Sequence, residues 1–342
     1  MTNVKPVITW RKKRLHRKIV VCAVLAVCVV VFCILMLSLG GVFYPPQVIL
    51  RVLSGEQIKG ATFAIATLRL PRMLAGLLAG AAFGISGAAF QALLRNPLAS
   101  PDIIGVTSGS SAAAVACILV FNLNGAAVSA VAVAAGIATA ALIYVISHGA
   151  AFSGGRLILV GIGVGAMLHS VISYLLLRAS KYDVPGAMRW LSGSLNGIRP
   201  EKILPLCAAS AVLGPLLLLS ERRLKIIELG DHKAATLGVR TNATRLTLVL
   251  CAVGLTAFAT SVTGPVAFIA FLSGPIAKRM TGDGSPSLLA STLTGAALTL
   301  GSDLLGQFAF DTKFPVGVIT GIIGAPYLLF LLVKINRSGA SV

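Results

Sequence analysis

Residues 70–94 read LPRMLAGLLAGAAFGISGAAFQALL, a run whose only charge is Arg72. About 20 apolar residues suffice to cross the hydrocarbon of a bilayer as a helix. The run is long enough. Its glycines and alanines, dense over 75–89, suit a helix that its neighbours approach closely. It is read as a membrane span packed inside a bundle, with a lined transport path as the other reading of the same small residues.

Nine further runs share that character: Ile19–Gly41, Ile103–Val120, Ala126–Ser147, Leu157–Leu177, Ile203–Leu219, Leu246–Val262, Val266–Met280, Ser287–Phe308 and Val316–Lys334. Small residues recur in Leu159–Ala166, with the same two readings. The run 266–280 is short, with Gly264-Pro265 at one end and Gly274-Pro275 inside it. Broken helices are tolerated at membrane depth only where protein or a water-filled cavity satisfies the freed backbone.

The chain of 342 residues is 56% hydrophobic and only 11% charged, with a mean hydropathy of +0.93. A soluble domain is about a quarter charged, so this chain can cover a lipid-facing surface but not a water-facing one. The expected fold is all-α: a polytopic membrane protein with about ten transmembrane helices and no length left for a soluble catalytic domain. It divides into a cytoplasmic basic N-terminal segment, 1–18, and a single transmembrane domain, 19–342. Basic residues followed by an apolar run have the order of a signal peptide. The run 19–41 is about twice a typical signal core, however, and no small-residue cleavage site closes it. It is read as a first span that stays in the protein.

A formal net charge of +19 would point to nucleic acid in a soluble protein. Here the charges lie in the connections between apolar runs, so they are read as topology signals. With the N-terminus in the cytoplasm, 19 basic residues fall inside and 10 outside, together the 29 of the chain. That asymmetry places both termini inside. The outside cations still call for a partner of their own.

Three connections are long enough for structure. Segment 42–69 contains a short helix over Pro46–Leu53. Segment 179–202 contains another over Pro185–Leu195, with Trp190 as an interfacial anchor. Segment 221–245 is the longest cytoplasmic loop. In it Ile226, Ile227, Leu229, Ala234, Ala235 and Leu237 supply apolar residues. Gly230-Asp231 predicts a turn and N-cap for a helix from about His232, closed by Gly238 at C′.

Catalytic signatures are absent. The sequence contains no GxxxxGK[ST], HExxH or GxSxG, and its four histidines are far apart. Cys22, Cys28, Cys33, Cys117, Cys207 and Cys251 lie inside apolar runs without CxxC spacing and are read as packing residues. Neither a metal site nor a cofactor is expected. Two polar groups sit within spans: Asp303, read as a hydrogen-bonded helix-end carboxylate, and His169, read as a satisfied core histidine. A role in a pathway is the alternative for both.

The most specific local pattern is Arg69-Leu70-Pro71-Arg72, followed by Ser86-Gly87, Gln91 and Arg95-Asn96-Pro97-Leu98-Ala99-Ser100-Pro101. Further on come Trp190-Leu191-Ser192-Gly193-Ser194-Leu195, then Leu229-Gly230-Asp231 with Ala234 and Leu237-Gly238, then Phe314-Pro315-Val316-Gly317 with Gly324-Ala325-Pro326. In this order, over about 60–335, they resemble the iron-siderophore and vitamin B12 family of ABC-transporter permeases. The resemblance implies a type II ABC importer permease architecture. It also implies a dimer with a second permease subunit, identical or paralogous, a cytoplasmic ABC ATPase dimer and an extracytoplasmic siderophore-binding protein, in a bacterial cytoplasmic membrane. By the same resemblance Arg69 and Arg72 dock the binding protein; Lys313, an outside cation of this chain, is grouped with them although the resemblance does not imply it. Glu228, Leu229, Gly230, Asp231, Ala234, Ala235, Leu237 and Gly238 meet the ATPase. Ser153, Gly154 and Gly155 form the inner gate region. Many relatives carry Pro-His where this chain has Gly274-Pro275, and an acidic residue where it has Lys313. A docking arginine of the vitamin B12 branch falls near Gln307. These departures favour a ferric-siderophore permease over a vitamin B12 or haem permease. A secondary transporter is the rival from another class. It needs coupling residues at mid-membrane, where the sequence offers little beyond Asp303.

Overall fold

The computed structural model describes residues 5–147, 154–282 and 287–337, and among them every regular element is helical. Ten helices form the bundle: α1 (Lys5–Ser38), α3 (Leu70–Leu94), α4 (Val106–Leu119), α5 (Ala126–Ser147), α6 (Gly154–Arg178), α8 (Ile203–Leu219), α11 (Thr241–Thr263), α12 (Ile269–Thr281), α13 (Leu288–Phe308) and α14 (Val316–Arg337). Four short helices lie in the connections: α2 (Pro46–Leu53), α7 (Val184–Leu191), α9 (Glu221–Glu228) and α10 (Asp231–Thr236). Eight of the ten are long and apolar enough to cross a membrane alone. The other two, α4 and α12, have 14 and 13 residues.

The first helix begins at Lys5 and runs unbroken through residue 18 into the first span. The 42–69 connection forms α2 with the predicted bounds. The next connection forms α7, which ends at Leu191, four residues before the predicted end. Inside the run 266–280 the helix begins only at Ile269. Gly264 at φ +71° and Phe268 at φ +66° lead into it, backbone conformations outside a right-handed helix.

Helix α3 is the centre of the bundle, with α13, α11 and α12 packed around it. In the most apolar 18-residue stretches of the spans holding α3 and α11, 78% of residues are buried, against 17% in those of α6 and α8. The glycines explain the closeness. A Cβ on Gly84 would run into the Ser291 carbonyl, one on Gly295 into the Gly80 carbonyl, and one on Gly87 into the Ala270 carbonyl. Small residues at these positions let backbones touch where hydrophobic driving force between helices is lacking. Phe83 and Phe90, both fully buried, fill the space left on the same helix. Along 75–89, then, close packing is the structural role of the small residues.

Proline and glutamine cooperate across this packing. Pro275 has no N–H to give the Phe271 carbonyl one turn back. Gln91 Nε2 donates to that carbonyl at 2.9 Å, and its side chain occupies the space above Gly274. Gln91, an element of the sequence pattern, and Gly274-Pro275, where the chain departs from many relatives, are thus one hydrogen-bonded unit.

Candidate functional site

At the N-terminal end of α3, the end expected from the sequence to lie outside, Arg69 and Arg72 point in different directions. Arg69 Nη1 donates to the carbonyls of Leu37 (2.8 Å) and Ser38 (2.9 Å), and Nη2 to that of Val42 (2.6 Å). Its guanidinium carbon lies 4.9 Å from the Tyr44 ring centroid. It therefore closes the C-terminus of α1, where a helix leaves carbonyls unpaired and favours a cation.

Arg72 pairs with Asp303 in bidentate geometry, at 2.8 Å from Nε and 2.7 Å from Nη2. Asp303 has no exposed side-chain surface and also accepts from Gln307 Nε2 at 2.7 Å, while Arg72 Nη1 reaches Asn196 Oδ1. Asp303 thus joins α3 to α13 as an ion-paired structural carboxylate. Lys313 stands exposed on the turn between α13 and α14. The three residues expected to dock a partner thus differ: Arg69 and Arg72 have internal partners and Lys313 is exposed.

The adjoining loops are knotted by backbone bonds. Ser194 N–H donates to the Thr263 carbonyl at 2.7 Å, and Gly317 N–H to that of Gly193 at 3.0 Å. Gly193 and Gly264 adopt φ of +63° and +71°, with no room for a Cβ on either. This explains in packing terms the Trp-Leu-Ser-Gly-Ser and Pro-Val-Gly elements of the sequence pattern.

At the other end, expected from the sequence to be the inner one, α3 stops at Arg95, which takes a left-handed conformation at φ +51°. Its Nη2 donates to the Ile227 carbonyl (3.0 Å) and to Asp231 (2.9 Å). Arg245 of α11 donates to the same carboxylate oxygen. The hydrogen bond from Arg245 is the main force holding the Asp231 carboxyl below the ordinary aspartate range. Burial opposes it, and the charges of Arg245 and Arg95 add to it. Nearby, Glu221 pairs with Lys18 (3.1 Å) and Lys225 (2.8 Å). Burial raises its pKa, but the two lysines outweigh burial and leave it below the ordinary value.

The predicted N-cap is corrected here. Gly230, at φ +112°, is the capping residue of α10, and Asp231 is its first helical residue, with no side-chain cap bond. The carboxylate is drawn instead to two guanidiniums, which bind it more strongly than neutral backbone amides. The predicted C-terminus stands. Gly238, at φ +79°, donates to the Ala235 carbonyl and Val239 to that of Ala234, both at 3.0 Å, the paired bonds of a Schellman ending. Ala234 is fully buried, whereas Leu229, Ala235 and Leu237 are exposed. The turn thus presents an apolar outer face on a base pinned to α3 and α11.

Gly154 and Gly155 open α6, and Ser153 lies outside the described residues. Gly155 is exposed, and a Cβ on Gly154 would approach Leu94 Cδ2 at 3.1 Å. A cavity of about 720 Å3 lies between α4, α6, α12 and α14, with Phe268 and Phe271 on its wall beside Asp102, Ser108 and Ser111. His169 lines the same cavity and is exposed, so it is a wall residue and not the core histidine expected.

Sequence reasoning found the turn at 228–238 but missed Arg95 and Arg245 as its anchors. Neither lies near Asp231 in the chain, and no periodicity links them. One signal was available for Gln91, because a proline inside a helix announces a free carbonyl four residues earlier.

Comparison with known proteins places this architecture. The FecCD transport family model matches residues 16–334. The ferric enterobactin transport system permease protein FepG of Escherichia coli (strain K12) is 37% identical over 94% of this chain and 98% of its own length. The Fe(3+)-citrate import system permease protein YfmE of Bacillus subtilis (strain 168) is 35% identical over 95% and 97%. The achromobactin transport system permease protein CbrC of Dickeya dadantii (strain 3937) is 35% identical over 96% and 97%. A metal-chelate type ABC transporter solved in an inward-facing conformation superposes with a TM-score of 0.81, at 26% identity, over 92% of this chain and 98% of that one. With the ten-helix bundle and the motif elements in their places, these matches show that the chain belongs to the FecCD transport family.

Proposed function

We propose that this chain is the membrane permease subunit of an ATP-driven importer for ferric siderophores. The relatives' names supply the substrate class: ferric enterobactin, ferric citrate and achromobactin. The chain does no covalent chemistry. It offers a path, and ATP is hydrolysed on separate subunits. On this reading it lies in the cytoplasmic membrane with both termini inside.

The observation that carries the reading is the α9–α10 turn. Work from a distant ATPase has to enter through a stiff cytoplasmic surface. This turn exposes Leu229, Ala235 and Leu237 while Asp231 is gripped by Arg95 and Arg245. An apolar face on a pinned helix suits a groove on a partner. The test is Ala235→Asp, which places a charge in the contact without touching the grip. The ATPase should dissociate from purified membranes and uptake should stop. An ATPase that stays bound, with uptake unchanged, would remove the turn from the coupling path.

Docking of the binding protein on the Arg69, Arg72 and Lys313 side remains part of the proposal. Lys313→Glu is the clean probe, because Arg69 and Arg72 have internal partners whose loss would confound the result. A rim charge acts mainly on association rate and salt dependence, so slower binding-protein association at low salt is the expected outcome. Gly154 and Gly155, with Ser153, are proposed as the inner gate. A cysteine at Gly154 should crosslink to the second permease in one nucleotide state only. A secondary transporter gains no support, because Asp303, the carboxylate it would need, is fully buried in its pair with Arg72.

A further inference from the structure

The cytoplasmic end of α3 borders another cavity, of about 610 Å3, walled by α3, α12 and α14. Four cations line it, Arg95, Lys278, Arg279 and Lys334, against the single carboxylate of Glu228. Tyr327 and Phe330 form an apolar side, and the Arg279 guanidinium carbon lies 5.6 Å from the Phe330 ring centroid. The positive-inside tendency accounts for cations near a membrane surface. The C-terminus of α12 accounts for Lys278 and Arg279 on its last turn. The same reasons hold for Arg95 at the end of α3 and Lys334 in the last turn of α14, but neither brings the three helix ends together so that all four cations line one recess.

Like charges around a low-dielectric recess focus field on its centre and raise the local concentration of an opposite ion. A lysine donates to an anionic oxygen of any geometry, and a guanidinium matches a carboxylate edge with two donors. The aromatic side would cover a ring or the apolar face of a small acid. Arg95 adds a consequence, because the same side chain grips Ile227 and Asp231 at the base of the turn. An anion in the recess competes with Asp231 for that guanidinium.

We propose that this vestibule binds a small multivalent carboxylate or phenolate anion, held by Lys278, Arg279 and Lys334. Arg95 passes its occupancy to the α9–α10 turn. The transport reading supplies only the source of the anion, an iron-free or iron-bound chelator arriving on the cytoplasmic side. Binding itself does not depend on that reading.

The test titrates citrate into the permease, purified with its cognate ATPase in phosphatidylcholine nanodiscs, so that no anionic headgroup competes. Saturable binding is expected, weakening as salt is raised, with monovalent acetate far weaker. Lys278→Gln with Arg279→Gln should weaken citrate binding about tenfold, the effect of losing charge-assisted contacts. The charge-conserving pair Lys278→Arg with Arg279→Lys should stay close to the parent, which separates lost charge from lost folding. Citrate should also slow ATP hydrolysis in the parent but not in the neutral variant, whose rate without citrate is unchanged. Absence of saturable binding, or equal binding in the neutral variant, overturns the site. Binding with no effect on hydrolysis overturns the link through Arg95. If no ATPase copurifies, the importer reading fails, while titration of the permease alone still decides the site.

Discussion

The two ends of α3 are both held by an arginine and an aspartate, and the two clamps are built for different tasks. At the outer end Arg72 meets an Asp303 with no solvent exposure, inside the packed contact with α13. At the inner end Arg95 meets an Asp231 that is 45% exposed, on a short turn outside the bundle. The first clamp fixes two spans to each other. The second holds a surface element, the one proposed to pass motion inward, where water screens the pair and a competing charge can reach it. Burial thus separates a structural ion pair from one suited to coupling, although the residue types are the same.

Breaking the outer clamp should have the largest effect. Asp303→Ala leaves Arg72 without its buried partner and should destabilise by about 3–5 kcal/mol, read as a large fall in thermal stability in detergent. Replacing both, Arg72→Leu with Asp303→Leu, should recover much of the loss, because an apolar pair carries no unpaired charge. A single variant as stable as the parent would show that the pair does no structural work.

The glycine seam between the clamps should come next. Gly84→Ala drives a Cβ into the Ser291 carbonyl, which is backbone and cannot rotate aside. Overpacking of this kind costs about 1–3 kcal/mol. The same change at Gly163, where a Cβ meets nothing within 4 Å, should be close to neutral. Equal effects at the two sites would mean that α3 and α13 separate more easily than their contact indicates.

Gln91→Leu should cost about 1–3 kcal/mol by leaving the Phe271 carbonyl unsatisfied. Adding Pro275→Ala should rescue it, since residue 275 would then supply the missing N–H within α12. A double variant no better than Gln91→Leu alone would break this account of Gln91 and Pro275.

The smallest stability effect belongs to the inner clamp. Asp231→Asn should change thermal stability by no more than about 1 kcal/mol while weakening ATPase attachment. Because the folded-state pKa of Asp231 is lowered, its contribution is present above the ordinary aspartate range. It fades as pH falls through the lowered value. Attachment should therefore be flat across neutral pH and decline only in strong acid. A decline beginning near neutrality would point to another group.

Much of this was legible from order along the chain. Apolar run lengths gave the spans, and the α2 bounds and the Gly238 ending followed from proline and glycine at turn positions. The misread residues were those whose partners are remote. Asp231 precedes a helix and so looked like a cap. Its capture by Arg95 and Arg245 depends on the end of α3 lying beside the start of α11. Arg69 and Arg72 look equivalent in sequence, three residues apart. The fold sends one to the end of α1 and the other to α13.

The sequence by itself determined that this chain is a membrane bundle of about ten helices, because the cost of placing polar groups in hydrocarbon is paid residue by residue and shows in composition and run length. It also determined the family, because the motif elements stand in order along one chain. Only the tertiary structure decided which arginines are occupied, which small residues are packing, and which cations share a recess. Those properties depend on distances between residues far apart in sequence, and hydrogen bonds and ion pairs act over a few ångströms.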